Sequence, residues 1–264
     1  LGTTRELDGG RFNRVFGPDF QWRPSKNDYV TGQALWSDTN TPVRTDLASE
    51  WNGQRLQDHA FLANYNHATD KLDVYLQGQE IGDDFRADDG FIPQVGYREA
   101  YFQGGTTLRP KKSFFSRIRI FTVDYVDWGT AADQDVLDDR ASVGAGADGR
   151  WGTFFRLELN RDEFLVAPGL RLQRFRPRYY VEASPGSFFN FVSLDVNSGG
   201  EVDFTNARPA RGTTISTNLT LRPGPHFETA LLGTRRWLNV DAPDGRDARL
   251  FLAVAQGEDD RDIM

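Results

Sequence analysis

Hydrophobic and polar residues alternate with a period of two along most of the chain. Val30, Gly32, Ala34 and Trp36 fall on one side of a stretch whose other side is Tyr29, Thr31 and Gln33. Phe61, Ala63 and Tyr65 alternate with Asn64 and Asn66, and after a turn at Ala68–Lys71 the pattern resumes with Leu72, Val74 and Leu76. The same texture returns at Ala100–Leu108, Thr153–Leu159, Phe175–Ala183, Ile215–Leu221 and Leu250–Val254. Period two is the signature of strands, because successive side chains point to opposite faces. Helical spacing is nowhere sustained. The pattern predicts about a dozen strands of about ten residues, the length of a tilted strand that crosses a bilayer. The segment Phe114–Trp128 is less regular, since Ile118 and Ile120 take one phase and Phe121, Val123 and Tyr125 the other. A bulge near Ile120 would reconcile them.

Three copies of one signal punctuate these strands. Phe20-Gln21-Trp22-Arg23-Pro24, Thr106-Thr107-Leu108-Arg109-Pro110 and Leu219-Thr220-Leu221-Arg222-Pro223 each end an alternating run at Arg-Pro, and an aromatic restart follows at Tyr29, Phe114 and Phe227. Proline fixes φ and removes a strand donor, so each copy reads as a tight hairpin turn. Longer acidic, Gly-rich connections are expected between them. Short turns at one side and long loops at the other are the habit of an outer-membrane β-barrel.

The two faces of the predicted strands differ in a way that bears on solvent. Arg117, Arg119, Arg156, Glu158, Arg176, Arg178 and Glu182 fall in mid-strand on the polar face, as expected for a wet lumen. Large rings gather near strand ends at Trp22, Trp36, Phe114, Phe115, Trp128, Trp151, Phe188 and Phe189. Amphipathic rings settle at headgroup depth and form girdles. A soluble β-sandwich also alternates, and its core can be capped by the same rings, so that reading stays open.

Composition narrows the field without choosing between these two. The 264 residues are 38% hydrophobic and 26% charged. No apolar run approaches the roughly 20 residues of a membrane-spanning helix. A net charge of −7 and the lack of a basic stripe argue against nucleic acid as partner. The absence of cysteine removes disulfides and thiolate chemistry.

Candidate chemistry is sparse. The stretch Gly82–Arg98 is a long structured loop between two strands, with Asp83, Asp84, Asp88 and Asp89 as oxygen donors. Their spacing is not that of a calcium loop. The loop is expected to be anchored by Phe85, Phe91 and Ile92 packing inward, with Asp84 paired to Arg98. Further acidic groups stand at Asp133, Asp135, Asp138 and Asp139, at Asp241, Asp244 and Asp247, and in the terminal run from Glu258. Nothing selects a catalytic pair among them. His59, His67 and His226 lack metal-ligand spacing. Gly144–Gly149 precedes a hairpin rather than a helix, so it fails the context test for phosphate binding. No catalytic residue, cofactor or metal is expected.

The order Gly82-x-Asp84-Phe85, then Gly90-Phe91-Ile92-Pro93, then Tyr97-Arg98 resembles one family. It is the barrel domain, of unknown function, that follows a family-nine-like carbohydrate-binding module in large Gram-negative proteins. Val15–Phe20 leading to an Arg-Pro turn is similar to an early hairpin of that domain, and Trp237 with Leu250–Val254 to its late strands. Gln94 departs from the arginine expected after the proline. The resemblance implies an outer-membrane location, contact with outer-membrane lipid, and an association with glycan through a module that this chain lacks. It implies no activity. The expected fold is thus all-β, a partial antiparallel up-and-down transmembrane β-barrel over 1–264, a fragment cut at both ends with its closing strands missing. The expected function is solute passage or carbohydrate-associated capture at the cell surface. The alternatives are an anchoring barrel that displays the binding module and a soluble secreted sandwich acting on polysaccharide.

Overall fold

The computed structural model describes residues 1–44, 46, 51–90, 92–130, 135–242 and 245–256, those from 241 onward by backbone alone. Among the described residues there are fifteen strands: β1 (Gly2–Leu7), β2 (Arg11–Phe16), β3 (Asp19–Trp22), β4 (Asp28–Asn40), β5 (Arg55–Ala68), β6 (Leu72–Ile81), β7 (Tyr97–Leu108), β8 (Arg117–Gly129), β9 (Val136–Asp148), β10 (Phe154–Ala167), β11 (Leu170–Ala183), β12 (Phe189–Asp203), β13 (Arg208–Gly224), β14 (Phe227–Ala242) and β15 (Gly245–Gln256). One three-residue 3-10 turn, Arg150–Gly152, joins β9 to β10.

Fourteen strands pair in chain order, and β3 pairs with β4 beside β2. The result is an all-β, antiparallel up-and-down sheet, the order of a partial barrel. Among the described residues no pairing joins β1 to β15. Most strands from β4 onward run 12 to 17 residues, longer than the ten read from the pattern, because the ladder continues through polar residues that interrupt the apolar alternation.

The chain divides into two compact units. The first is Leu1–Gly104 with Asp124–Asp139, and the second is Gly105–Val123 with Arg140–Met264. The division passes through β7, β8 and β9.

The first Arg-Pro signal ends its strand as read, since Arg23-Pro24 follows β3 directly, and Arg109-Pro110 likewise follows β7. The third does not. Arg222-Pro223 lies inside β13, and the turn is Pro225-His226. The chain can keep β structure across that proline because the β13–β14 register shifts between Leu221 and Gly224, which leaves the proline outside the regular ladder. Connections 41–54 and 82–96 are long, as expected. The β10–β11 connection is only Pro168-Gly169, however, with Gly169 at φ 70°, the left-handed region that glycine reaches without strain. The short-turn, long-loop alternation therefore belongs to the early strands.

β8 runs unbroken through Ile120. Phe121 does not flip the phase. It sits on the polar side with Arg119, whose guanidinium lies 5.2 Å from the ring centroid, and Arg156 covers the ring at 4.4 Å. Gly144 makes this possible, because a Cβ there would fall 2.5 Å from the Phe121 ring.

Candidate functional site

In the second unit the usual relation between burial and polarity is reversed. The β10–β11 register places Phe155 opposite Val181, Leu157 opposite Tyr179 and Leu159 opposite Pro177. Val181 in turn faces Leu194 on β12. Phe155, Leu157, Leu159, Tyr179 and Leu194 are all exposed. An apolar hollow of about 420 Å³ lies on this face between Ile118, Ala145, Phe155 and Leu194. The other face of the same strands pairs Glu158 with Arg178 and Asp162 with Arg174. There Glu158, Asp162 and Glu201 are buried, Asp162 to 1% exposure. Carboxylates are almost never buried in a water-soluble fold unless paired.

The apolar face has limits along the strand. From Phe175 to Ala183 is eight steps at ~3.3 Å each, roughly 26 Å along β11 before tilt. Above it Glu163 meets Arg161 at 3.2 Å and Arg171 at 3.4 Å. Rings collect at its other end. Phe114, Trp151, Phe188 and Phe227 stand at or beside the connections after β7, β9, β11 and β13, which antiparallel alternation brings to one end of the sheet. Phe114 packs edge-on to Phe115 and to Trp151, and Phe188 to Phe189. All four stay substantially exposed, Trp151 most of all.

The first unit shows the same two faces. Phe16 stacks on Trp36 at 6.2 Å, and Trp36 meets Phe61 edge-on at 5.9 Å, all three exposed. The opposite face carries hydroxyls and amides. Gln79 donates to the Tyr97 hydroxyl at 2.6 Å, Gln77 to Glu99 at 2.9 Å, and the Tyr101 hydroxyl to Gln103 at 2.9 Å. Tyr75 and Tyr101 meet edge-on at 5.8 Å.

The loop after β6 folds onto this polar face. Phe85, 1% exposed, buries against Val15 and Ile81, with Leu35, Ala60, Ile92, Val95 and Tyr97 packed around them. Side chains of β2, β4 and β5 hold its backbone. Asn13 Nδ2 donates to the Arg86 carbonyl at 3.0 Å, and the Asp88 amide donates back to Asn13 Oδ1 at 3.0 Å. The Arg86 amide donates to Ser37 Oγ at 3.2 Å. The Asp84 amide donates to Asp58 Oδ2 at 2.9 Å, an approach open only because Gly82 has no Cβ to strike that carboxylate. Gly90 closes a turn on the Ala87 carbonyl, and Pro93 and Gln94 are exposed. The inward packing of Phe85 and Ile92 is as expected, while Phe91 lies outside the described residues.

The expected Asp84–Arg98 pair does not form. Arg98 donates to Glu80 at 2.9 Å, and Glu80 also meets His59 at 3.0 Å. Tyr97 and Arg98 are adjacent in a strand, so when Tyr97 joins the loop on the polar face, Arg98 must point the other way. The structure thus gathers Gly82, Asp84, Phe85 and Tyr97 on one face and leaves Arg98 on the other. Asn13, Ser37 and Asp58, the loop's anchors, carry no sequence signal, because isolated small polar residues in strands are commonplace.

The remaining candidates stay apart. His67 meets Asp28 at 2.7 Å. Asp138 accepts from the Tyr125 hydroxyl at 2.7 Å. Asp133, Asp244 and the run from Glu258 lie outside the described residues, as do the side chains of Asp241 and Asp247. Among the described residues no cluster of three or more His, Asp or Glu could hold a metal. No helix among the described residues is long and apolar enough to cross a membrane, which says nothing of strands. Comparison with family models, with curated proteins and with solved structures finds no match.

Proposed function

We propose that this chain forms wall of an outer-membrane β-barrel, with an exposed apolar face that meets lipid and a polar face that lines a path or capture surface for a solute. One observation carries the reading: in β10–β12, aliphatic and aromatic side chains are exposed while carboxylates are buried, beside half-buried guanidiniums, on the opposite face. In water, leaving such residues exposed forgoes about 1.5–3 kcal/mol for each large side chain. In a bilayer the same arrangement is favourable, and strands can span it only when their backbone groups are paired. The ring cluster at the turn end and the ion group at the other end match the borders of an apolar band. The chain's resemblance to a barrel domain that follows a carbohydrate-binding module supports a glycan-associated solute.

The full-length protein carrying this chain tests the proposal. Folded in detergent, it should migrate faster on gels before boiling than after, and it should stay with vesicles through an alkaline carbonate wash. Release into the wash would overturn the membrane reading in favour of a soluble sandwich. In planar bilayers, stepwise conductance supports passage. A membrane-integrated protein with no conductance supports the anchoring alternative, which the loop packed across the polar face of β2, β4 and β5 also favours.

A further inference from the structure

The turn end of the second unit is basic. The connection after β7, 109–116, holds Arg109, Lys111 and Lys112, and the one after β9, 149–153, holds Arg150. Neither contains Asp or Glu, and nor do the connections after β11 and β13. At the other end of this unit, Pro168-Gly169 and 204–207 carry no charge. In the first unit Lys26 and Lys71 follow β3 and β5, so all four lysines of the chain stand in connections that leave odd-numbered strands. The acidic run from Glu258 follows β15, five strands from β10 in the order of the sheet.

Local structure makes this more than scattered surface charge. Lys111, Lys112 and Arg150 are exposed, and among the described residues none of their side chains meets a carboxylate. The carboxylate nearest in sequence to Arg150, Asp148, is taken by Arg117 at 2.5 Å. The two connections are fixed to each other. The Ser116 amide donates to the Asp148 carbonyl at 2.9 Å, and Phe114 lies against Gly149, where a Cβ would come within 2.5 Å of its ring. Trp151 then projects from the second connection. Its backbone sits at φ 60°, a left-handed conformation rare for a bulky residue, and the residue so presented is 68% exposed. Its carbonyl accepts from the Ser184 amide at 3.0 Å, which ties down the connection after β11.

Cations held beside exposed rings are the composition of a membrane border. The rings settle at the level of the headgroups, and long basic side chains there reach lipid phosphate, most favourably on an anionic headgroup. A free phosphate ion would use the cations and leave Phe114 and Trp151 in water, whereas a lipid uses both. We infer that the turn end of the second unit is a docking surface for anionic phospholipid, whose headgroup phosphate meets Lys111, Lys112 and Arg150 while the top of its chains covers Phe114 and Trp151. The inference rests on the membrane reading above and adds the class of lipid.

The test is electron paramagnetic resonance of the full-length protein in phosphatidylcholine vesicles that carry a trace of spin-labelled phosphatidylglycerol or of spin-labelled phosphatidylcholine. The immobilised fraction of each label gives its association with the protein surface. Phosphatidylglycerol should associate about twofold more strongly than phosphatidylcholine, because the roughly fivefold gain for each charge at one site is diluted over the other lipids around the protein. The preference should shrink as salt rises. Lys111→Gln, Lys112→Gln and Arg150→Gln combined should remove most of it. The charge-keeping combination Lys111→Arg, Lys112→Arg and Arg150→Lys should retain it, and Arg44→Gln, in connection 41–54, should leave it unchanged. Heat-modifiable mobility reports the folding of each variant. An immobilised fraction with equal association of the two labels would overturn this inference and leave the membrane reading standing. No immobilised fraction of either label would overturn both. A preference that the triple glutamine variant leaves intact, or an equal loss in Arg44→Gln, would also overturn the inference.

Discussion

Asn13 donates its side-chain amide to the Arg86 backbone carbonyl at 3.0 Å, a contact made across 73 positions of sequence. The same side chain accepts from the Asp88 amide at 3.0 Å and donates to Thr39 Oγ1 at 2.7 Å. One buried amide thus fills, for the Arg86–Asp88 backbone of the loop, the role that a partner strand has elsewhere. Asn13→Leu would leave the Arg86 carbonyl and the Asp88 amide without partners, each costing about 1–3 kcal/mol. Opening of the loop should become at least tenfold more frequent, since about 1.4 kcal/mol corresponds to that factor. Limited trypsinolysis reads it directly, because Arg86 lies at the centre of the contact. Cleavage after Arg86 at the wild-type rate would show that Asn13 does not hold the loop.

Phe85 supplies the apolar half of the same attachment. Its ring is the largest fully buried side chain among the described residues. Phe85→Ala should cost about 3–5 kcal/mol of loop docking. Because the β2–β4–β5 ladder is intact without the loop, the cost should appear as local opening rather than as global unfolding. Hydrogen exchange should accelerate at the amides of Asp84, Arg86 and Asp88 while those of β5 stay protected. Equal acceleration in β5 would mean that the loop and the sheet open as one unit.

Period-two alternation was enough to read an antiparallel all-β sheet, because each strand bears its pattern locally. Which face is which was also legible: Arg156, Glu158, Arg176 and Arg178 do share the polar side. The anchors of the loop were not, since Asn13, Ser37 and Asp58 differ in no local property from other polar strand residues. Phe85 was picked out by its aromatic character in an acidic run. The Asp84–Arg98 pairing depends on which face β7 presents: Arg98 turns to Glu80, and the Asp84 backbone amide is held by the Asp58 carboxylate. The ion pairs of Asp162 with Arg140 and Arg174, and of Glu201 with Arg174 and Arg236, are not legible locally for a related reason. Arg140, Asp162, Arg174, Glu201 and Arg236 come from five strands, and only the register brings them together.

Leu157 separates the lipid-facing reading from the soluble one. It is 44% exposed and stands in the middle of the apolar face of β10. In a water-soluble sheet, Leu157→Lys at such a site should change stability by less than about 0.5 kcal/mol. Facing a bilayer, the same change should cost about 2–4 kcal/mol near the midplane. Guanidinium-induced unfolding from phospholipid vesicles, with wild type beside the variant, measures the difference. A shift within the soluble range would remove the lipid contact from this face.

Arg174 bridges two buried carboxylates, 2.8 Å from Asp162 and 3.2 Å from Glu201, with its guanidinium 4.6 Å from the Phe164 ring centroid. Arg174→Met keeps most of the side-chain volume and removes the charge that two buried carboxylates share. The expected loss is about 3–5 kcal/mol, the cost of breaking a buried ion pair from one side. The double variant Arg174→Met, Asp162→Leu should recover part of it, because it removes an uncompensated charge rather than adding a contact. A double variant no more stable than the single one would mean that Arg140 alone keeps Asp162 compensated.

Gly17 marks the corner at which the chain leaves β2 for β3 while both strands stay on β4. Its amide donates to the Leu1 carbonyl at 3.0 Å, and the Ala34 amide donates to the Pro18 carbonyl at 3.0 Å. The backbones come so close that a Cβ on Gly17 would lie 1.8 Å from the Ala34 carbonyl oxygen. No side-chain rotation can relieve a clash with backbone, so Gly17→Ala must displace β2 or β3 from β4. The cost should be about 1–3 kcal/mol. Gly78, in the middle of β6, has nothing within 4 Å of the position its Cβ would take. Gly78→Ala should stabilise the fold by about 0.4–1 kcal/mol through the unfolded chain's lost freedom. Chemical denaturation of the two variants should therefore move the midpoint in opposite directions. A Gly17→Ala midpoint at or above that of wild type would mean that β3 can shift along β4 without loss, and that the close approach at Ala34 does not fix the corner.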